Sequence, residues 1–259
     1  MAKTALIAAI TDYPNDDLEA AVPEAERWAE LLKNFFGFPA PALLRNSEVM
    51  VDTVIGELER RLDAATVGDQ IVFVWAGHGD SMSTSGSFGE EALIFADGPL
   101  TETRFSTLVK DHYRAGAFTV VLETCYAGGF ASTPLVRGLR RLAAIVGFQS
   151  TKFASPAHAR GFRESFVVTQ RFGDMESVPR EQKRPLIVAA CDANELAAQA
   201  PIVPRRPLHM VFSEQAIPFL EQNPSVTHET FLDKVGRKVV GQHVTLKGDL
   251  GRLPNTFFT

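Results

Sequence analysis

The chain of 259 residues is long enough for one large domain and short for two of average size. Hydrophobic residues make up 45% and charged residues 22%, which is ordinary for a soluble globular protein. The net charge of −5 argues against a general nucleic-acid binder.

The chain begins with an apolar run followed by an amphipathic stretch. Residues 4–10 are short and almost entirely apolar, which predicts a strand buried on both faces. Residues 22–36 carry apolar side chains at helical spacing, with Pro23 near the start and Gly37 just after the end. The first two predicted elements are therefore a buried strand and a helix.

The same alternation continues along the chain. Ser47 is predicted to cap a helix that runs to about residue 64. The other predicted strands are 42–45, 70–75, 92–96 (one arm of a small hairpin), 118–122, 186–190 and 255–258. The other predicted helices are 101–114, 210–222 and 227–240, and residues 81–89 are a predicted Ser/Gly loop.

Reactive residues follow two of these strands. Strands that alternate with helices predict a mainly parallel sheet with helices on both faces. In such a sheet the ligand crevice lies beyond the carboxyl ends of the strands. The third strand ends in AGHGD (76–80) and the fourth in ETCYAGG (123–129), so His78 and Cys125 are expected at one edge.

A histidine and a cysteine at one sheet edge can work as base and nucleophile. His78 would raise the reactive fraction of the Cys125 thiol or take its proton. Gly79 lets the chain turn and lets a substrate backbone approach closely. Each residue alone can have a purely structural role. A buried cysteine is usually a small core residue, and a histidine in a Gly-rich turn usually supports the turn. Their pairing at matched strand ends is what favours catalysis.

These motifs make the sequence similar to the caspase–metacaspase family of cysteine peptidases. GHG at 77–79 follows one strand, ETCYAGG at 123–129 follows the next, and the histidine precedes the cysteine by 47 residues. In caspases that spacing is about 50. Residues 5–13, 18–32 and 187–192 resemble the first strand, first helix and fifth strand of bacterial metacaspase-like proteins. The resemblance covers most of the chain apart from residues 131–185.

The resemblance implies a fold and a domain plan. The implied fold is α/β, a caspase-like three-layer sandwich with a mainly parallel six-stranded sheet and helices on both faces. Residues 1–259 would form a single peptidase domain. Residues 131–185 would be a basic linker or insert between the nucleophile and the fifth strand.

The resemblance also implies an activity, that of a cysteine endopeptidase with a His78/Cys125 dyad. Backbone N–H groups of Gly79 and Cys125 would stabilise the oxyanion, as they do in the family. Metacaspases commonly have His and Ser directly after the nucleophile, where this chain has Tyr126 and Ala127. Neither departure removes the thiol or the base.

The residue before the scissile bond is predicted to be basic. The resemblance assigns Glu123, two residues before the nucleophile, to the substrate (S1) pocket, together with Glu24 from the first helix. A planar guanidinium matches two carboxylates through charge-assisted hydrogen bonds, which predicts cleavage after Arg, with Lys second. Asp192 can line the same pocket. A structural role stays open for both acids as the alternative to a pocket role. Glu24 would stabilise the start of its helix, and Glu123 would form a salt bridge.

A basic segment interrupts the acidic chain. Residues 131–185 hold ten basic and four acidic side chains, a balance of +6, so the other residues carry −11. The segment is either a solvated connection or, as the resemblance implies, a linker that is cut on activation. An enzyme that cuts after Arg could process itself there. The candidate sites are Arg160, Arg163, Arg171, Arg180 and Arg184.

The expected partners follow from the same interpretation. We expect a protein or peptide substrate with a basic residue before the scissile bond, no nucleic acid and no membrane, and a monomer rather than a dimer. We expect no metal or organic cofactor in the chemistry. Some metacaspases need calcium, and no calcium-loop pattern is present in the sequence.

The sequence predicts a cytoplasmic protein. No apolar run reaches the roughly 18 residues of a membrane span. The apolar residues 5–10 are not followed by the small-residue cleavage site of a signal peptide. Two cysteines are too few for a disulfide scaffold.

Other function classes need features that differ from those present. A caspase-like scaffold or interaction protein without activity is the main alternative, and it would have no need of the dyad. A nucleotide-binding protein needs a third glycine where Met82 stands. A zinc enzyme needs a paired ligand spacing that the two cysteines, His78 and His112 lack. A related peptidase that cuts after Asn would not need two pocket acids.

Overall fold

The computed structural model describes residues 1–14, 17–82, 90–124, 184–191, 199–201 and 208–258. Its helices over these residues are α1 (Ala21–Phe36), α2 (Val51–Ala64), α3 (Glu102–His112), α4 (Val211–Gln222) and α5 (His228–Gly236). Its strands are β1 (Lys3–Ala9), β2 (Ala42–Arg45), β3 (Gln70–Ala76), β4 (Gly79–Met82), β5 (Glu90–Phe95), β6 (Gly98–Thr101), β7 (Ala117–Glu123), β8 (Leu186–Ala189), β9 (Gln199–Pro201), β10 (Leu208–Met210) and β11 (Thr245–Gly248). All belong to the compact unit Met1–Ala131 with Lys183–Thr259, whereas the unit Ser132–Gln182 lies outside the described residues.

A six-stranded sheet forms the middle of the fold, in the order β11-β8-β7-β3-β1-β2. The pairs from β8 to β2 are all parallel, and β11 joins β8 in the antiparallel direction. β3 pairs along its whole length with β1 on one side and β7 on the other. The predicted α/β class with a mainly parallel six-stranded sheet is confirmed.

Helices cover both faces of this sheet because its central strands bury side chains on both sides. All seven residues of β3 are buried, and successive side chains point to opposite faces. The face with Val72, Val74 and Ala76 packs against α1, α4 and α5. The face with Ile71, Phe73 and Trp75 packs against α2 and α3. These are the three layers that the sequence predicts.

The first helix matches its predicted limits closely. α1 buries Ala25, Trp28 and Leu32 on one face, as the apolar spacing indicates. It ends at Gly37, which has φ +70° and donates its N–H to the Leu32 carbonyl. A glycine serves here because a Cβ is costly in this left-handed conformation. Within the described ranges, no helix is long and apolar enough to cross a bilayer.

The predicted start of the second helix is wrong. Ser47 lies inside a separate 3-10 turn, Asn46–Glu48, and α2 begins only at Val51. The Val51 N–H donates instead to the Asp97 carboxylate at 2.8 Å. A side chain from a distant turn thus takes the capping role, which local sequence pattern does not reveal.

The predicted last strand, residues 255–258, is also wrong. The sixth strand of the sheet is β11, and Thr256 forms an isolated bridge with Thr227. Phe257 and Phe258 are fully buried, but they pack into the core beside α1 and α5 without joining the sheet. The apolar character of residues 257 and 258 is therefore explained by their burial in the core and not by strand pairing.

A small antiparallel sheet of β4, β5 and β6 follows β3. The predicted hairpin arm is β5, the middle strand of the three. The predicted loop at 81–89 overlaps β4, which extends to Met82, and residues 83–89 lie outside the described part of the chain.

Candidate active site

Two neighbouring parallel strands end side by side at one edge of the sheet. Ala76 of β3 lies opposite Glu123 of β7 in the register. Just beyond the strand ends, the Gly77 N–H donates to the Glu123 carbonyl at 3.4 Å. His78 therefore follows one strand and Thr124 follows its neighbour, as predicted from the alternation of strands and helices.

Two of the predicted site residues, Cys125 and Asp192, lie outside the described residues. Their preceding neighbours are described, and both are buried: Thr124 after β7 and Cys191 after β8. The Cys191 thiol donates to the Thr124 carbonyl, with 3.1 Å between sulfur and oxygen. The positions directly before the predicted nucleophile and before Asp192 are thus in contact.

The GHG segment is closely packed around its first glycine. A Cβ on Gly77 would lie 2.3 Å from the Trp75 ring and 2.7 Å from the Tyr13 hydroxyl, so a larger residue does not fit. His78 is partly buried, and its ring centroid lies 4.3 Å from that of Tyr13. Gly79, the predicted oxyanion donor, is the first residue of β4.

Glu123 is a fully buried acid held by the start of α4. Its Oε1 accepts the Ser213 N–H at 2.9 Å, and its Oε2 accepts the Ser213 hydroxyl. Ser213 in turn accepts the Trp28 indole N–H at 2.7 Å. Burial raises the pKa of Glu123 to about 8, the negative charge of Glu24 adds to this rise, and the Ser213 hydrogen bonds oppose it. The predicted acid pair is therefore close enough for its charges to interact.

Replacing Glu123 by Gln tests this pKa directly. The pKa of Glu123 is 4.5 in the unfolded chain and about 8 in the folded protein. Between pH 4.5 and about pH 8 the folded protein therefore holds a proton on Glu123 that is released on unfolding. The free energy of unfolding therefore falls as pH rises through this window, by up to about 1.4 kcal/mol per pH unit. Gln cannot ionise, so we expect Glu123→Gln to gain thermal stability relative to wild type from pH 4.5 to pH 8.

The control for this experiment is Glu26→Gln, because Glu26 is an exposed acid paired with Arg45. The stability gain of Glu123→Gln is therefore measured relative to the difference that Glu26→Gln shows from wild type at each pH. Parallel profiles for wild type and Glu123→Gln would contradict the raised pKa.

Glu24 lies at the centre of a charged cluster made of Glu24, Arg27, His209 and Glu214, here called the Glu24 cluster. The buried Glu24 carboxylate accepts from Arg27 Nη1 at 3.1 and 2.8 Å, and its Oε1 lies 2.7 Å from His209 Nδ1. Glu214 Oε2 lies 3.1 Å from the same Arg27 nitrogen and 3.3 Å from His209 Nδ1. Arg27, His209 and Glu214 are each about a quarter to a third exposed, so solvent reaches the cluster.

The two carboxylates of the Glu24 cluster pair with the guanidinium of Arg27 in the same cluster. Ligand atoms of Glu24, His209 and Glu214 lie within 4.8 Å of one another, which is close enough to hold a metal ion. Arg27 Nη1, however, lies within hydrogen-bond distance of both carboxylates. The arrangement therefore suits a cationic side chain with several N–H donors.

Several residues of this region were not predicted from the sequence. Arg27 lies one helical turn after Glu24, so its spacing alone indicates an i,i+3 ion pair. His209 lies in the middle of β10, and Ser213 and Glu214 lie in the first turn of α4, all at least 185 residues along the chain from Glu24. No local pattern links such distant positions.

Comparison with known proteins gives structural relatives alone. No protein-family model matches this sequence, and no curated protein matches it. The fold is similar to the crystal structure of protein GSU0716 from Geobacter sulfurreducens, with a TM-score of 0.69 and 16% identity, covering 100% of this chain and 99% of that one. It is also similar to caspase-1 from Spodoptera frugiperda, with a TM-score of 0.59 and 12% identity, covering 97% and 88% of the two chains.

The sheet order, the three layers and this likeness define a caspase-like fold. A fold of this kind does not by itself carry an activity, because unrelated functions are built on common folds. The function has to be argued from the residues at the sheet edge and in the Glu24 cluster.

Proposed function

We propose that this protein is a cysteine endopeptidase with a His78/Cys125 dyad. The observation that supports it is the joining of the β3 and β7 ends, where the Gly77 N–H donates to the Glu123 carbonyl. His78 follows directly on one side of this contact, and Cys125 is two residues beyond it on the other. The caspase-like fold supports the same assignment.

The proposed reaction proceeds through an acyl-enzyme. His78 takes the proton of the Cys125 thiol, and the thiolate attacks the carbonyl carbon of the scissile peptide bond. The N–H groups of Gly79 and Cys125 stabilise the oxyanion that forms. The C–N bond then breaks, and His78 gives its proton to the leaving amine. Water, deprotonated by His78, attacks the thioester and releases the acid and the free thiol.

We further propose that the substrate has Arg, or secondarily Lys, before the scissile bond. Between the two carboxylates of Glu24 and Glu214 and the one guanidinium of Arg27, one negative charge in the Glu24 cluster is left uncompensated. A substrate guanidinium neutralises that charge and also favours the ionised form of the neighbouring Glu123. An Asp side chain meets repulsion instead. Asp192, three residues beyond the end of buried β8, is proposed to add to this acidic character.

The experiment is hydrolysis of matched fluorogenic peptides that end in Arg, Lys, Asp or Asn. We expect the highest kcat/KM with Arg, a lower value with Lys and no cleavage after Asp. The assay is repeated after trypsin nicks the basic segment 131–185, in case the uncut chain is inactive. Cleavage after Asp or Asn would contradict the basic pocket, and silence on all four peptides would favour a scaffold without activity.

A further inference from the structure

The Tyr13 side chain links the loop after β1 to the GHG segment after β3. Its hydroxyl accepts the His78 N–H at 2.9 Å and donates to the Ile94 carbonyl at 3.0 Å. Its ring packs against the His78 imidazole, with 4.3 Å between ring centroids and an interplanar angle of 52°. One side chain thus contacts both the backbone and the ring of the proposed base.

Ile94 of β5 completes this arrangement from the other side. Its N–H donates to the His78 carbonyl at 3.0 Å, while its own carbonyl accepts the Tyr13 hydroxyl. The peptide units before and after His78 are therefore both held by hydrogen bonds. A trans peptide is planar, with its N–H opposite its C=O. Since the His78 carbonyl is aimed at Ile94, the Gly79 N–H of the same peptide is aimed away from β5.

Tyr13 itself lies on an anchored loop. Asn46 Oδ1 accepts the Thr11 N–H at 2.8 Å, and Asn46 Nδ2 donates to the Asp12 carboxylate at 2.6 Å. The Leu18 N–H closes the loop by donating to the Thr11 carbonyl at 2.9 Å. Asn46 adopts φ +48°, a left-handed conformation that asparagine tolerates better than most residues. The phenol is therefore presented to His78 from a fixed position.

Glycine at position 77 makes room for this hydroxyl. A Cβ there would lie 2.7 Å from the Tyr13 oxygen and 2.3 Å from the Trp75 ring. Burial raises the pKa of the Tyr13 hydroxyl, so it stays protonated and keeps its donor role toward Ile94. Tyr13, Gly77 and Ile94 thus form one packed support around His78.

We propose that Tyr13 is a positioning residue that holds the His78 imidazole and the Gly79 N–H in their reactive orientation. This inference rests on the peptidase activity proposed above. The hydroxyl binds two backbone groups and not the substrate, so Tyr13 acts through His78 and Gly79. Both His78 and the proposed oxyanion donor Gly79 depend on this side chain, because its hydroxyl bonds the peptide before His78 and also bonds Ile94, which holds the peptide after it.

The test is Tyr13→Phe, which keeps the ring and removes the hydroxyl. Tyr113→Phe is a matched control at the opposite end of the sheet. The Tyr113 hydroxyl likewise bridges backbone groups, donating to the Gly116 carbonyl at 3.0 Å and accepting the Phe118 N–H at 3.1 Å. Each variant loses the same atom and the same kinds of hydrogen bond, so a purely structural cost should appear in both.

The readouts are kcat and KM on the Arg peptide and the rate of Cys125 alkylation by iodoacetamide at pH 7, with His78→Ala alongside. We expect Tyr13→Phe to lower kcat by about tenfold or more, to leave KM within about twofold, and to slow alkylation toward the His78→Ala rate. Tyr113→Phe should change the unfolding temperature and leave both rates near wild type.

Different results overturn different parts. A wild-type kcat and alkylation rate in Tyr13→Phe, with an active parent enzyme, would overturn the positioning role and leave the peptidase standing. Equal losses in the two variants would reduce Tyr13 to a structural residue. A parent chain that cleaves no peptide and whose alkylation is insensitive to His78→Ala would overturn the peptidase itself, and the positioning role with it.

Discussion

Cys125→Ala is expected to lower kcat/KM on an Arg peptide by about 10⁴-fold or more, because alanine cannot form the acyl-enzyme. His78→Ala should cost nearly as much, since residues that act as a unit are not additive. The same pair of variants tests processing of the basic segment. If the chain cuts itself after Arg160, Arg163, Arg171, Arg180 or Arg184, fragments should form in wild type and be absent from Cys125→Ala.

Cys191→Ser is the matched control for the nucleophile. Cys191 is the second cysteine of the chain, and its buried thiol donates to the Thr124 carbonyl. Serine keeps a donor at that position, so kcat/KM should stay within about threefold of wild type. Loss of activity in Cys191→Ser with retention in Cys125→Ala would refute the assignment of the nucleophile. For the processing test, the fragment masses measured by mass spectrometry of the wild-type protein show whether any fragment begins directly after one of the proposed arginines.

The second large effect is expected from Glu24→Gln. This change removes the central negative charge of the Glu24 cluster while keeping the shape of the side chain. A hydrogen bond to a charged group contributes about 1.5–3 kcal/mol, so kcat/KM on the Arg peptide should fall about 10- to 100-fold. The Arg/Lys preference should shrink as well, because a bidentate carboxylate favours the planar guanidinium over the ammonium.

Glu26→Gln separates a pocket effect from a change in net charge. Glu26 lies on the same helix two residues later, is about half exposed, and pairs with Arg45 at 3.0 Å. Exposed pairs of this kind contribute little, so activity should remain near wild type. Equal losses in Glu24→Gln and Glu26→Gln would show that long-range charge, and not a pocket at Glu24, governs the basic preference. Thermal unfolding of both variants shows whether Glu24→Gln still folds.

Much of the fold was predictable because its central strands have a local signature. Residues 70–75 form a continuous apolar run, which is what a strand buried on both faces requires, and the observed β3 extends it by one residue. The helix start at Ser47 and the strand at 255–258 were wrong for a common reason. Asp97 caps α2 from another part of the chain, and Phe257 is buried by side-chain packing without sheet pairing.

The candidate site likewise has one part that the sequence predicts and one part that only the tertiary structure shows. From the sequence alone, His78 and Thr124 could be assigned to neighbouring strand ends, because parallel strands share an edge, and the position of Cys125 stays a prediction. The surroundings of the acid pair needed the tertiary structure. Ser213 holds Glu123 across 90 residues of sequence, and His209 reaches Glu24 across 185. Hydrophobic periodicity and turn signals act over a few residues, whereas burial, charge pairing and the raised pKa of Glu123 arise only when distant segments pack together.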